Sequence, residues 1–106
     1  MKAGKLIYRI AIEEAATTVN DAGTPTSTWT RKAILRAELV EQSTEEFLGD
    51  GGATDEELAV FRTRYLAGVT NADRVIFEGR SYNIRQLTPL GRRVGLELRC
   101  VAQGDE

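Results

Sequence analysis

Residues 74–100 read RVIFEGRSYNIRQLTPLGRRVGLELRC, and this stretch decides the fold. Three short apolar runs, Val75-Ile76-Phe77, Tyr82-Asn83-Ile84 and the segment 94–101, are separated by Glu78-Gly79 and by Thr88-Pro89-Leu90-Gly91. Glycine supplies the positive φ, and proline the fixed φ, that tight reversals need, so the stretch predicts an antiparallel meander.

Toward the N-terminus, Leu6, Tyr8, Ile10 and Ile12 recur at period two and place four large apolar side chains on one face of a strand. The opposite face is mixed, with Ile7, Arg9, Ala11 and Glu13. Residues 15–28 turn polar and favour loop, with Asn20-Asp21-Ala22-Gly23 as the turn at the tip of a long hairpin. Over 29–41, Ala33, Leu35, Ala37 and Leu39 alternate with Ile34, Arg36, Glu38 and Val40. A helix is the rival reading there, because Ala, Leu, Arg and Glu are good helix formers. Thr28-Trp29-Thr30 and the hairpin loop before it favour a strand.

Residues 43–57 are the irregular region. Ser43 with Glu46, and Thr54 with Glu57, each fit a capping box and open the way to a short helix. Asp50-Gly51-Gly52-Ala53 between them suits no regular element. The region carries Glu45, Glu46, Asp50, Asp55, Glu56 and Glu57 with no Lys or Arg. It reads as a flexible acidic insertion loop, solvated or facing a partner only in an assembly. For 55–66, helical spacing of Leu58, Phe61, Arg62 and Tyr65 competes with the extended preference of Phe61, Thr63 and Tyr65, and periodicity leaves both open. Residues 69–73 read as a turn leading into the meander.

With 106 residues the chain has room for one core, so 1–106 is expected to be a single domain. Hydrophobic residues at 42% and charged residues at 28% are ordinary globular values, which argues against disorder. The expected class is mainly β, with about six antiparallel strands. A formal net charge of −2 is too small for electrostatic pursuit of nucleic acid or an acidic membrane. No apolar run approaches the roughly 20 residues that span a bilayer, and no export signal is expected.

One cysteine and no histidine preclude an intrachain disulfide and a Cys/His zinc site within one chain. Cys100, among Leu96, Leu98 and Val101, reads as a small partly buried hydrophobe. The carboxylates are sequence neighbours in polar surroundings, where nothing separates their pKa values for acid/base work. Residues 50–57 lack calcium-loop spacing, and Gly49, Gly51 and Gly52 form no phosphate cradle. No catalytic residue, cofactor or metal ligand is therefore expected. The arginines Arg62, Arg64, Arg92 and Arg93 are candidates for subunit or partner contacts. Tyr8, Trp29, Tyr65, Phe77 and Tyr82 fall on strand positions that suit a core.

The order of fragments along the chain resembles the head-tail joining, or head-closure, proteins of tailed phages, also called stoppers. The likeness is carried by Ala3-Gly4-Lys5-Leu6 running into Arg9-Ile10-Ala11-Ile12, Asp21-Ala22-Gly23 before Trp29, and Ala37-Glu38-Leu39 followed by Glu45 or Glu46. Arg64-Tyr65 with Gly68-Val69, Asp73-Arg74-Val75, Gly79 with Tyr82-Asn83-Ile84, and Arg92-Arg93 with Leu96-Glu97-Leu98 continue it to the C-terminus. The resemblance implies a small β-barrel or sandwich with a long insertion loop, assembled in the bacterial cytoplasm as a non-enzymatic ring of six or twelve copies in the neck of a phage, prophage or gene transfer particle. It implies portal, adaptor and tail proteins as partners, and double-stranded DNA passing through the channel without sequence-specific binding. The acidic residues Glu45, Glu46, Asp50, Asp55, Glu56 and Glu57 are then the candidate channel loop. A small β-barrel that binds oligonucleotides through Arg92, Arg93 and Arg99 is the alternative from another class.

Overall fold

The computed structural model describes residues 3–49 and 52–103. After a short 3₁₀ turn at Ala3–Lys5 come six strands: β1 (Tyr8–Val19), β2 (Pro25–Gly49), β3 (Gly52–Arg64), β4 (Arg74–Phe77), β5 (Arg80–Leu90) and β6 (Gly95–Gln103). All neighbours are antiparallel, and the order β1-β2-β3-β6-β5-β4 closes on itself through a β1–β4 pairing of Ala11 with Ile76 and Ile12 with Val75. Of the two architectures expected, the barrel is the one formed, and closure removes every sheet edge at the barrel's waist.

The alternation read from the sequence points inward where expected. Ile10 and Ile12 of β1, Ala37 of β2, Phe61 of β3, Val75 and Phe77 of β4, Tyr82 and Ile84 of β5 and Leu98 of β6 meet in one cluster. Its centre is aromatic. Phe61 lies edge-on to Phe77 at 5.0 Å and to Tyr82 at 6.2 Å, and Tyr8 meets Phe77 at 5.5 Å, the T-shaped geometry that ring quadrupoles favour. Trp29 departs from expectation: it is 39% exposed, outside the core, with the Arg74 guanidinium 4.1 Å above its ring. It lies on the outer part of the β1–β2 hairpin, opposite Ala15 and beyond the β1–β4 pairing, which spans residues 11–13 of β1.

The ladder slips by one residue at three places. Lys32 is the additional residue opposite Ile12/Glu13, Val40 opposite Phe61/Val60, and Arg85 opposite Cys100/Arg99. Each bulge bends its strand and raises the local twist, which lets strands as long as β2 wrap a small barrel.

Two segments, 15–28 and the insertion, differ from their sequence reading, and the choice left open over 55–66 is resolved. Residues 15–19 and 25–28 are strand, not loop, so the hairpin stays paired out to Val19 opposite Pro25. The threonines that read as polar loop are β-branched and pair across the strands, with Thr18 and Thr26 hydroxyls 3.0 Å apart. Only residues 20–24 turn, and the Asn20 side-chain oxygen accepts from the backbone N–H groups of Ala22 and Thr24, both at 3.0 Å. Residues 55–64 are strand throughout. The insertion is likewise strand: β2 and β3 run on as an antiparallel hairpin arm, with Ser43 opposite Leu58, Glu46 opposite Asp55 and Gly49 opposite Gly52. The helix-capping signals lose because residues 56–58 already pair with 101–103 of β6, and a ladder once started adds bonds at little further entropic cost.

The meander turns first at Glu78-Gly79, where both residues have positive φ, 51° and 78°, the type I′ geometry that matches strand twist. Its second reversal sits at residues 91–94, later than 88–91; Pro89 stays in β5 opposite Leu96, and Val94 N–H donates to the Leu90 carbonyl at 3.1 Å. A left-handed backbone is costly for Glu but cheap for Asn. Glu78→Asn is expected to raise the urea midpoint by the equivalent of about 0.5–1 kcal/mol. Gly79→Ala should lower it, through backbone alone, since nothing lies within 4 Å of a Cβ placed there.

Candidate functional site

Two regions of the surface stand out by chemistry: the acidic β2–β3 arm and the arginines of the outer barrel wall. At the base of the arm the acidic residues are tied to the barrel. Glu57 accepts from Gln42 Nε2 at 2.7 Å and from the Tyr82 hydroxyl at 3.2 Å, and is ion-paired with Arg80. Glu56 faces Arg85 at 3.6 Å, on the residue that the β5 bulge pushes out of register. Burial pushes the Tyr82 phenol above its usual pKa, and the Glu57 carboxylate adds to the shift. Further out, Glu45 stands opposite Glu56 and Glu46 opposite Asp55 in the ladder. Asp50 lies outside the described residues, as do the side chains of Glu45, Glu46 and Asp55. Of the six acids expected in a channel loop, two are thus engaged at the arm's root, and three occupy paired strand positions beyond it.

The four arginines expected at contacts do not form one patch. Arg62 pairs with Glu97 at 2.8 Å along the outer row Glu38, Arg62, Glu97 and borders an open groove of about 510 Å³ lined by Lys5, Glu38, Leu90 and Val94. Arg92 and Arg93 sit in the exposed β5–β6 turn, Arg93 at φ 61° with its guanidinium 5.9 Å from the Tyr65 ring. Arg64 is exposed and joins Arg36 beside a second groove of about 260 Å³, over Leu6, Ile34 and Leu35. Arg9 stands directly opposite Arg36 in the β1–β2 ladder.

The sequence reading missed Arg9 and Arg36. Their outward phase on two strands was visible, but neighbours across strands become neighbours only once the register is fixed. It also missed a polar knot at the β2 bulge. Lys32 Nζ lies 2.8 Å from Asp73 Oδ2, 3.2 Å from Glu14 and 2.8 Å from the Gly68 carbonyl, and Asp73 also accepts from Thr70 N–H at 2.9 Å. The hydrogen bond to Asp73 is the main reason that the Lys32 pKa is raised.

Cys100 is fully buried, and burial pushes its thiol up to about 12, which leaves no thiolate for chemistry at neutral pH. Among the described residues no group of three or more His, Cys, Asp or Glu could hold a metal ion, and no helix is long and apolar enough to cross a membrane.

Cys100, Tyr82 and Lys32 all have folded-state pKa values above their unfolded ones. Their contribution is complete below the unfolded values, from about 8.5 for Cys to about 10.4 for Lys, and is lost as pH rises through the raised folded ones. Thermal midpoints are therefore expected to hold level between about pH 6 and 8 and to fall above about pH 9. Cys100→Ala should flatten the first part of that fall, and the native thiol should resist Ellman's reagent at pH 8.

A family model described as "Phage head completion protein" matches residues 1–103. No curated protein matches the chain in sequence. Three solved structures share the fold. A chain from the virion of a native gene transfer agent particle superposes with a TM-score of 0.70 at 18% identity, covering 90% of this chain and 92% of that one. Protein SF1141 from Shigella flexneri 2a gives 0.67 at 24% identity, covering 100% and 99%. The phage-like element PBSX protein xkdH from Bacillus subtilis gives 0.53 at 12% identity, covering 89% and 91%.

Proposed function

The chain belongs to the phage head completion protein family, and from that premise we propose that it is a ring subunit joining head to tail and closing the DNA exit channel. A structural part in the phage head follows from the family itself; the ring, its place in the particle neck and the closing of the channel are the finer reading. The observation that carries it is the family match over residues 1–103, which takes in the barrel and the arm together.

In this reading the barrel is the rigid wall and the arm is the element that meets DNA. The arm's outer part carries Glu45, Glu46 and Asp55 with no cation between residues 42 and 57. Duplex DNA carries a negative charge about every 1.7 Å, so an acidic arm keeps it from adhering as it passes or rests. The partners are further copies of the chain, six or twelve in the ring, the portal or adaptor on one side, and tail proteins on the other. The ring is assembled in the bacterial cytoplasm with the particle.

Co-expression with portal and tail proteins of the same particle, followed by native mass spectrometry, tests the reading. The expected species is a closed ring that binds both. A chain that remains monomeric and binds neither overturns it.

A further inference from the structure

We propose that the groove over Ile34, with the arginines Arg9, Arg36 and Arg64, is the receptor for residues 45–49 of β2 from a second copy of the chain. The inference rests on the ring reading and says how neighbours in that ring hold one another.

The groove has an apolar floor of Leu6, Ile34 and Leu35 and a basic rim of Arg36 and Arg64. Ile34 is 52% exposed, although it sits mid-strand on the barrel wall. Arg9 and Arg36 are directly opposed like charges, and none of Arg9, Arg36 and Arg64 forms an ion pair with a described residue. Such a row is unfavourable in the isolated chain and calls for an anionic partner with apolar side chains beside its charges.

The arm has that composition. Residues 45–49 read Glu-Glu-Phe-Leu-Gly, two acids followed by two large apolar residues. Its own ladder sets Glu45 opposite Glu56 and Glu46 opposite Asp55, again like charges opposed. Past Gln103, the partner of Glu56, the described residues form two strands alone, and a lone two-stranded hairpin is marginal in water. Arm and groove therefore each lack what the other carries.

A chain cannot satisfy both ends itself. Arg36 and Glu46 lie on one continuous strand, and at about 3.3 Å per residue the ten intervening steps carry the arm roughly 30 Å away from its own groove. The contact is then head-to-tail between different copies, a heterologous interface that closes into a ring when the rotation permits.

Charge exchange in the full chain tests it, with sedimentation velocity as the readout and circular dichroism to verify folding. Arg36→Glu with Arg64→Glu, and separately Glu45→Lys with Glu46→Lys, are each expected to weaken self-association by on the order of 10–100-fold. Mixing the two variants should restore it, since each then offers the complement of the other. Wild-type association should weaken as salt rises from about 50 to 300 mM. Variants that associate like wild type, or that lose association and do not regain it on mixing, overturn the proposal while the ring stands. Salt-sensitive DNA binding that disappears in the Arg36→Glu, Arg64→Glu variant, with association unchanged, assigns the row to phosphate and overturns it as well. A wild-type chain that stays monomeric even with portal and tail proteins overturns both readings.

Discussion

Phe61→Ala is expected to lower the free energy of unfolding by about 3–5 kcal/mol, the range for removing a fully buried aromatic ring. Phe61 is 0% exposed and is the ring through which β3 meets both Phe77 of β4 and Tyr82 of β5. Its ladder neighbours are Leu39 on β2 and Leu98 on β6, so four other strands converge on this one side chain. A barrel closed by its own strands has little freedom to collapse into the space left behind, which places the cost toward the upper end. Domains of this size hold about 5–15 kcal/mol in total, and each kcal/mol moves the melting point by roughly 4–8 °C. A fall of about 15–40 °C is the expected result in a calorimetric scan. Phe61→Leu, which keeps most of the volume, should cost less than half as much. Equal, small effects for both variants would show that the core is not centred on this ring.

What the sequence disclosed, and what it hid, follows from how local each determinant is. The hairpin at Glu78-Gly79 was legible because two adjacent residues fix it, and the inward phase of Ile10, Ile12, Ala37, Tyr82 and Leu98 was legible because period-two alternation is local too. Closure was not. Ala11 meets Ile76 across 65 positions, and nothing near either residue marks the pairing. The capping boxes at Ser43 and Thr54 are strong local signals that the β6 ladder overrode, and periodicity without the register of β6 had no means of detecting this. The candidate site follows the same division. The acidic run and the arginines were visible as residue types. That Glu56 and Glu57 are tied back to Arg85 and Arg80, while Arg9, Arg36 and Arg64 line up with no described ion-pair partner, is a property of three strands in register. One-residue bulges leave the least trace of all, and the β2 bulge decides where Lys32 points.

That bulge carries the second large prediction. Lys32→Met is expected to cost about 3 kcal/mol, more than Asp73→Asn at about 2. The asymmetry comes from where the two partners can go. The Asp73 side chain is 3% exposed, so without Lys32 it keeps its burial and loses its counter-charge, with Thr70 N–H the one donor left to it among the described residues. Lys32 is 22% exposed, and when Asp73 is replaced it still has Glu14 at 3.2 Å, the Gly68 carbonyl and a route to water. The double variant should cost less than the sum of the singles by about 1–2 kcal/mol, because the second change removes a group that the first had already left unpaired. Urea unfolding of the four proteins in the cycle measures this, and strict additivity would mean that the 2.8 Å contact contributes nothing specific. The consequence reaches beyond stability. Glu14 lies on β1, Lys32 on β2, and Asp73 immediately before β4, so the knot holds the root of the β1–β2 hairpin against the strand that closes the barrel. Arg74 with Glu13 at 2.8 Å repeats the tie one residue further on, and the same guanidinium covers Trp29. Loss of Lys32 should therefore loosen the closing β1–β4 seam first. Hydrogen exchange in the variant is expected to accelerate at Ile12 and Val75 before it does at Phe61 and Leu98, which sit in the opposite wall.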